Sequence, residues 1–408
     1  MGARQRRMGV PARSALAVGA VVMSALGAVA LLTVPGTMSL PTAVPVPSTQ
    51  GIAAGDNDGL AFAPPAVAGD LVPDDSNLRR AQIVQLLRDR GAAVAHADFR
   101  GYTTTQLPGV LGSAPLVARL RVLPITAWQY SVDGITTGID SDQATVSATL
   151  RYRLDIDRQD VSVPVTLTLT KSANRWFVTG EKSRGSRRQI WEVGDLSVVR
   201  GNRSLIIGVG SPAPTTSVLR QWAAVTDAAV DGVAQVIATG WQRRAVVVVP
   251  STASLLAKLL GRNPDGLSRI AAVTTAELGE AAQDSGVRGA DRVWLNVGLM
   301  ASLSNVGRRI VVQHELSHVA TGAAATRATP LWLEEGIAEY IGYRSSGVSL
   351  STAARDLVEN IRAGNEVGTL PQPADFAGPN LAIAYEKAHV ACNFLAREYG
   401  EAGLLRIY

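Results

Sequence analysis

The residues with the clearest chemical potential form the pentapeptide His314-Glu315-Leu316-Ser317-His318. On a helix, residues four apart lie on the same face, so His314 and His318 can offer two imidazole nitrogens to one metal ion. Glu315 lies about a quarter-turn round the helix and would face a water molecule on that metal, as a general base. Two of the four histidines in the chain fall in this motif, which chance placement rarely produces. The spacing therefore predicts the metal site of a zinc hydrolase.

A second candidate helix follows the motif and carries three carboxylates. Thr329-Pro330 is a favourable helix start, because proline fits the first turn of a helix. Glu334, Glu335 and Glu339 follow it. Catalytic zinc takes three protein ligands and leaves one position for water. Since no third histidine lies within reach by sequence, a carboxylate of this helix is the predicted third ligand.

The elements that must position these residues can be traced from about residue 188 onward. β-branched and apolar runs predict strands at 196–199, 205–209, 245–249, 270–274 and 292–297. Helical spacing predicts helices at 217–239 and 254–260. The metal helix is expected to start near Ser304 or Asn305, either of which can cap it, and to end where Gly322 allows a turn. A sheet followed by the metal helix is the order that a zincin lobe uses.

The motif residues resemble the gluzincin clan of zinc peptidases, in particular aminopeptidase-N-like catalytic domains and their shorter bacterial relatives. The matching stretches are HELSH at 314–318, LWLEEGIA at 331–338 and IAYEKA at 383–388. The resemblance implies that zinc is the cofactor and that Glu335 is its third ligand. It also implies that Glu339 hydrogen-bonds a ligand histidine, that Tyr385 stabilises the oxyanion, and that the substrate is a peptide or protein.

The chain departs from the pattern of that family at several points. No Gly-x-Met-Glu-Asn motif precedes HELSH, so the acidic group that grips a free amino terminus is missing, which favours an endopeptidase over an aminopeptidase. Residues 291–298 stand where the substrate-aligning edge strand should be, and 295–297 are expected to pair with an extended substrate. Ala388 replaces the usual Gly after Tyr385. His389, one turn after Tyr385, is expected to be a partly exposed surface residue, with a second oxyanion donor as the alternative.

Residues 77–187 carry a different pattern. A helix is predicted at 77–99, and strands at 119–132, 144–156, 161–169 and 176–178. This order resembles the cone-shaped domains related to nuclear transport factor 2, over about 78–185. Such domains act as spacers or binding modules more often than as enzymes, and an envelope protein is one candidate partner.

The N-terminal region has the pattern of a membrane anchor. Residues 15–34 are uncharged and almost wholly apolar, which is about the length that spans a bilayer as a helix, and the basic residues of 1–14 precede them. The alternative is a cleaved signal peptide. Residues 35–76 are rich in proline and are predicted to be a linker. The resulting expectation is a single-pass protein of the cell membrane with an extracytoplasmic catalytic domain.

Composition excludes several other classes of function. The formal net charge is +5, and four arginines within the first 13 residues supply most of it, so the remainder is nearly neutral and a nucleic-acid partner is not expected. Cys392 is the single cysteine, which excludes an intramolecular disulfide and a thiolate metal cluster. Cys392 is expected to be a small buried side chain.

The sequence therefore predicts an α+β protein with an N-terminal transmembrane helix, a cone-like domain at 77–187 and a zincin-type domain at 188–408. The predicted function is that of a membrane-anchored zinc metallopeptidase. Two alternatives stay open: a non-catalytic envelope binding module with a vestigial zincin lobe, and a zinc hydrolase of a non-peptide amide. The chain ends at Tyr408 inside a helix that is expected to begin near residue 381, so the zincin-type domain is either minimal or cut short.

Overall fold

Alternating apolar residues build an antiparallel four-stranded sheet in the first half of the chain. Its strands, in spatial order, are β2 (Ile125–Thr137), β3 (Gln143–Leu154), β4 (Val161–Ser172) and β5 (Arg175–Ser183). Three helices precede it, namely α1 (Asp75–Ala95), α2 (Phe99–Thr104) and α3 (Ser113–Val122). The strand predicted at 119–132 therefore starts too early, because 119–122 complete α3; so short an alternation is compatible with either structure. Ala173 and Asn174 take positive φ angles of 47° and 61° between β4 and β5, as a two-residue hairpin turn requires.

A six-stranded mixed sheet forms from the rest of the chain. Its strands are β1 (Gly19–Val22), β6 (Asp195–Arg200), β7 (Ser204–Gly210), β8 (Ala245–Pro250), β9 (Ile270–Ala276) and β10 (Asp291–Leu295). Their spatial order is β1-β9-β10-β8-β7-β6. β8 pairs in parallel with β7 and β10, whereas the β1–β9, β9–β10 and β6–β7 pairs are antiparallel.

The two faces of the six-stranded sheet belong to different hydrophobic cores. Successive side chains of a strand point to opposite faces. Leu205 and Ile207 of β7 therefore join the core that contains the four-stranded sheet, while Ile206 between them faces the helices of the second core. Val248 and Val247 of β8 divide in the same way.

The longest helices after β5 contribute side chains to the second core. They are α4 (Ile190–Val193), α5 (Thr216–Val236), α6 (Ala253–Leu260), α7 (Val297–Ala301), α8 (Asn305–Thr321), α9 (Leu331–Tyr343), α10 (Leu350–Ala353), α11 (Arg355–Arg362) and α12 (Leu381–Ile407). Gly400 interrupts α12 with non-helical angles, φ 72° and ψ 165°. The predicted bounds of α8 are confirmed, since Ser304 caps it through the Gly307 N–H and Gly322 ends it at φ 73°. Pro330, rather than Thr329, takes the capping position of α9.

A buried ion pair joins the two sheets, and an aromatic cluster joins the four-stranded sheet to α4. Asp157, just after β3, accepts two hydrogen bonds of 2.7 Å from the guanidinium of Arg292 on β10, and both side chains are almost wholly buried. Trp128, Tyr152 and Trp191 pack with ring centroids 4.9 to 5.9 Å apart. The four-stranded sheet is thus attached to the six-stranded sheet by polar as well as apolar contacts.

These statements concern the residues that the computed structural model describes, which are 19–22, 75–109, 113–137, 142–276, 290–322, 329–365, 368–377 and 379–408. Of these, 19–22 and 80–408 belong to one compact unit. Residues 75–79, the start of α1, belong to a second unit. The predicted basic tail at 1–14 and almost all of the predicted linker at 35–76 lie outside the described residues.

The prediction of an N-terminal transmembrane helix is wrong. Among the described residues, no helix is both long and apolar enough to cross a bilayer. Gly19–Val22, within the predicted span of 15–34, forms strand β1 and pairs with β9. The expected single-pass membrane localisation with an extracytoplasmic domain is therefore also corrected. The physical reason is that an almost wholly apolar run gives no periodicity by which a helix could be told from a buried strand. The other residues of 15–34 lie outside the described part of the chain.

Candidate metal centre

Glycines allow the helices that carry the predicted ligands to pack closely. A Cβ on Gly342 of α9 would lie 3.1 Å from the carbonyl oxygen of Ile310 on α8. A Cβ on Gly336 of α9 would lie 2.6 Å from both the Ala388 carbonyl oxygen and the Cys392 Sγ on α12, which is closer than real Cβ atoms approach. Cys392 is fully buried at this contact, as predicted. The three helices can therefore bring their side chains to one small volume.

Three of the predicted ligand atoms converge in that volume. The Nε2 atoms of His314 and His318 are 3.1 Å apart. Glu335 Oε2 lies 3.3 Å from Nε2 of His314 and 3.5 Å from Nε2 of His318. Tetrahedral zinc with bonds of about 2.0–2.2 Å separates its ligand atoms by about 3.3–3.6 Å. The buried group His314, His318 and Glu335 can hold a metal ion.

The electrostatics of the centre also fit a cation. Burial disfavours the charged form of His314, but the neighbouring carboxylates of Glu335 and Glu339 outweigh it and raise the pKa of His314 to about 10. Burial likewise opposes the ionised form of Glu335, yet the charge of His318 and the closeness of both imidazoles lower the pKa of Glu335 to about 2. Glu335 Oε2 is buried, and no described residue donates a well-aligned hydrogen bond to it. A metal ion would satisfy this oxygen and both imidazole nitrogens at once.

Glu339 lies behind His314. Its Oε1 is 3.1 Å from Nδ1 of His314, one helical turn beyond Glu335. A carboxylate at Nδ1 favours the tautomer in which Nε2 carries the lone pair. The resemblance implied that Glu339 hydrogen-bonds a ligand histidine; the two atoms lie within reach of each other, but Nδ1 of His314 makes no well-aligned hydrogen bond with a described residue.

Glu315 is completely buried and has two different oxygen atoms. Oε2 accepts a hydrogen bond of 2.5 Å from the hydroxyl of Thr274 on β9, whereas Oε1 has no hydrogen-bond partner among the described residues. Burial raises the pKa of Glu315, while His318, His314 and the Thr274 hydrogen bond act in the opposite direction. One oxygen is thus held in place and the other is available to a proton. Thr274 was not predicted, because nothing in its local sequence marks it.

Tyr385 is also buried. The ring of Tyr385 lies 6.3 Å from the ring of His314, centre to centre, and packs edge-on against Phe376. Burial first, and then the charges of Glu335 and Glu339, raise the pKa of Tyr385 well above its ordinary value, so its hydroxyl keeps its proton. The structure places Tyr385 beside the metal group, where its predicted role as an oxyanion donor can be tested.

His389 departs from its expected position. Its side chain is 2% exposed, and its ring stacks on Tyr343 with centroids 5.0 Å apart. Burial lowers the pKa of His389, so it is neutral in the physiological range. The expectation of a partly exposed surface residue is wrong, because a helix packed on two sides buries more of its face than its own amphipathic pattern shows.

The predicted substrate-aligning edge strand is also corrected. β10 lies between β9 and β8 and pairs with both, so it has no free edge. Asn296 follows the strand, and its side chain donates to the carbonyl oxygens of Leu267 and Ile270. Val297 already belongs to α7. Strand order depends on long connections, and a local apolar run does not reveal whether a strand lies inside a sheet or at its edge.

Comparison with known proteins identifies no family. No protein-family model matches the chain, and no curated protein matches it. Among solved structures, a protein of unknown function from Mycobacterium tuberculosis, Rv3472, is 18% identical, with a TM-score of 0.24 over 29% of this chain and 79% of that one. Kfla4162 from Kribbella flavida is 18% identical, with a TM-score of 0.22 over 29% of this chain and 97% of that one. RPA3114 from Rhodopseudomonas palustris, a SEC-C motif containing protein, is 15% identical, with a TM-score of 0.20 over 26% and 88%. Likenesses this low carry no argument about function.

Proposed function

We propose that this protein is a zinc-dependent metallopeptidase that hydrolyses peptide bonds, as an endopeptidase rather than an aminopeptidase. The observation that supports it is the convergence of His314, His318 and Glu335 with Glu315 buried beside them. Two histidines and one glutamate leave a fourth position open on tetrahedral zinc, as a catalytic site requires. The preference for internal bonds comes from the sequence, which lacks the acidic motif that grips a free amino terminus.

Zinc in this centre would supply Lewis acidity and lower the pKa of a bound water to about 7. The residues of the chain would perform the proton transfers. Glu315 takes a proton at Oε1, because Oε2 is already held by Thr274. Glu315 then passes that proton to the leaving amine. Tyr385 keeps its hydroxyl proton and donates a hydrogen bond to the developing oxyanion.

Metal analysis of the purified full chain tests the ligand set. We expect about one zinc per chain by elemental analysis. Glu335→Ala should lose the metal, because two histidines alone do not hold a structured site. Glu334→Ala, which removes the neighbouring and only half-buried carboxylate, is the matched control and should keep it. Unchanged zinc in folded Glu335→Ala would remove Glu335 from the ligand set.

Digestion of an unbiased peptide library by the zinc-loaded chain tests the reaction. Glu315→Gln should keep the metal and lower hydrolysis by about 10²- to 10⁴-fold, the usual contribution of a general base. Glu359→Gln, an exposed change on α11, should leave hydrolysis unchanged. Turnover near that of the native chain in Glu315→Gln would mean that the base lies elsewhere. Zinc binding without hydrolysis of any library peptide would refute the peptidase.

A further inference from the structure

The outer edge of β9 is covered by a strand from the start of the chain. β1 pairs antiparallel to β9, with Gly19 opposite Thr274, Ala20 opposite Val273 and Val21 opposite Ala272. The other edge of β9 is taken by β10. β1 is thus the strand that satisfies the backbone groups which β9 would otherwise present to any extended peptide.

This pairing lies directly beside the candidate metal centre. Thr274, the partner of Gly19, is the residue whose hydroxyl holds Glu315 Oε2. β1 also contacts α8, which carries the two histidines, and α12, which carries Tyr385. The backbone of residues 19–22 therefore passes three elements that provide functional groups of the centre.

Backbone pairing along a strand edge recognises an extended peptide without reading its sequence in detail. A peptidase must hold its substrate in such a form next to the metal. We infer that β1 is an autoinhibitory segment, which occupies in cis the edge of β9 where an extended peptide substrate binds. This inference rests on the proposed function and adds to it. It assigns the docking edge to β9 instead of β10, and it names the ligand class as an extended, uncharged strand of small and apolar residues such as Gly-Ala-Val-Val.

Covalent attachment makes β1 a strong competitor. A tethered segment acts at an effective concentration that reaches the millimolar range for a suitable linker. A free peptide at micromolar concentration is therefore excluded until β1 leaves β9. Weakening the pairing of β1 should increase peptide binding and hydrolysis together.

Disulfide trapping in the full chain tests the register. The pairs Ala20→Cys with Val273→Cys, and Val21→Cys with Ala272→Cys, place thiols directly across the two strands. At least one pair should close on mild oxidation, because opposite residues of antiparallel strands lie about 4.5–5.5 Å apart. Ala20→Cys with Val247→Cys is the control and should not close, since β8 lies three strands from β1. Failure of both in-register pairs to close would overturn the inference.

A proline variant tests the inhibition. Ala20→Pro combined with Val21→Pro removes both N–H groups, so whichever residue donates to β9 is lost. Val21→Ile keeps the pairing and is the matched control. A fluorescent peptide with the sequence of residues 17–24 should bind the zinc-free proline variant at least tenfold more tightly than the native chain. Fluorescence anisotropy measures this binding without any catalysis.

Hydrolysis of a library peptide separates the two proposals. If the proline variant hydrolyses the peptide at least tenfold faster than the native chain, both are supported. If trapping and peptide binding behave as expected but no variant hydrolyses any peptide, the proposed function fails and the docking of β1 on β9 stands. If all variants hydrolyse peptides and bind the labelled peptide equally, the autoinhibition fails and the peptidase stands.

Discussion

Thr274→Val removes the hydroxyl that holds Oε2 of the candidate general base, Glu315. The Thr274 Oγ1 lies 2.5 Å from Glu315 Oε2 and 3.1 Å from the Glu315 carbonyl oxygen. Valine has nearly the same shape, so the variant deletes the hydrogen bond and leaves the packing of β9 against α8 in place. Glu315 Oε2 would then be a buried carboxylate oxygen without its donor.

The size of the effect follows from the charge on the acceptor. A hydrogen bond to a charged group contributes about 1.5–3 kcal/mol. This bond favours the ionised form of Glu315, so its loss raises the pKa of that carboxyl. A general base works only when ionised, so the acidic limb of the pH profile should move to higher pH. On that limb, kcat/KM should fall about tenfold to a hundredfold, since about 1.4 kcal/mol corresponds to a factor of ten.

The assay is the pH profile of kcat/KM for a peptide found in the library digestion. Thr275→Val is the matched control, because Thr275 is the neighbouring buried residue of β9 and its hydroxyl accepts from Trp294 Nε1 instead. Both variants lose a buried hydroxyl, so the comparison separates the loss of a buried polar group from the loss of the contact with Glu315. Thr274→Ser should restore the acidic limb. An unmoved limb in Thr274→Val, with activity equal to that of Thr275→Val, would refute the role of Thr274 in positioning Glu315.

Three further predictions concern packing, the sheet junction and the metal. Gly336→Ala should destabilise the fold by about 1–3 kcal/mol, because its Cβ has no room between α9 and α12; Gly266→Ala, in open space, should change the melting temperature little. Arg292→Met should cost about 3–5 kcal/mol in chemical denaturation, since it leaves a buried carboxylate unpaired; Arg153→Met breaks a half-exposed pair and should cost about 0–1 kcal/mol. Glu339→Gln should weaken zinc affinity about 10- to 100-fold in a chelator competition, because it removes the carboxylate behind His314.

Local spacing was sufficient to predict that His314 and His318 meet, whereas the choice of Glu335 among the three carboxylates of α9 came from the resemblance to gluzincins. His314 and His318 share a face of α8 because four residues make about one helical turn. Placing Glu335 near the histidines also required a prediction of where the second helix begins. Thr329-Pro330 indicated that start to within two residues. The ends of α8, at Ser304 and Gly322, also followed from capping rules. Interactions within one helical turn, or between helices joined by one short connection, can thus be predicted from the sequence.

Contacts that depend on the order of strands in a sheet could not be predicted from the sequence. Thr274 and Glu315 are far apart in sequence, and no residue near Thr274 indicates that β9 would lie over α8. The interior place of β10 likewise depends on the long connections between β8, β9 and β10. The apolar run at 15–34 lacks periodicity, so its length, its apolar character and the basic residues before it favoured a membrane span, and the pairing of 19–22 with β9 could not be anticipated.

The core shared by the two sheets has a consequence for how the protein can be divided. Trp191, Ile207, Val248 and Trp294 pack in the same hydrophobic core as Trp128 and Tyr152 of the four-stranded sheet. A fragment that begins at residue 188 would expose this apolar face to water, together with the guanidinium of Arg292. Such a fragment should aggregate on expression, and the two sheets of the intact chain should melt in a single cooperative transition.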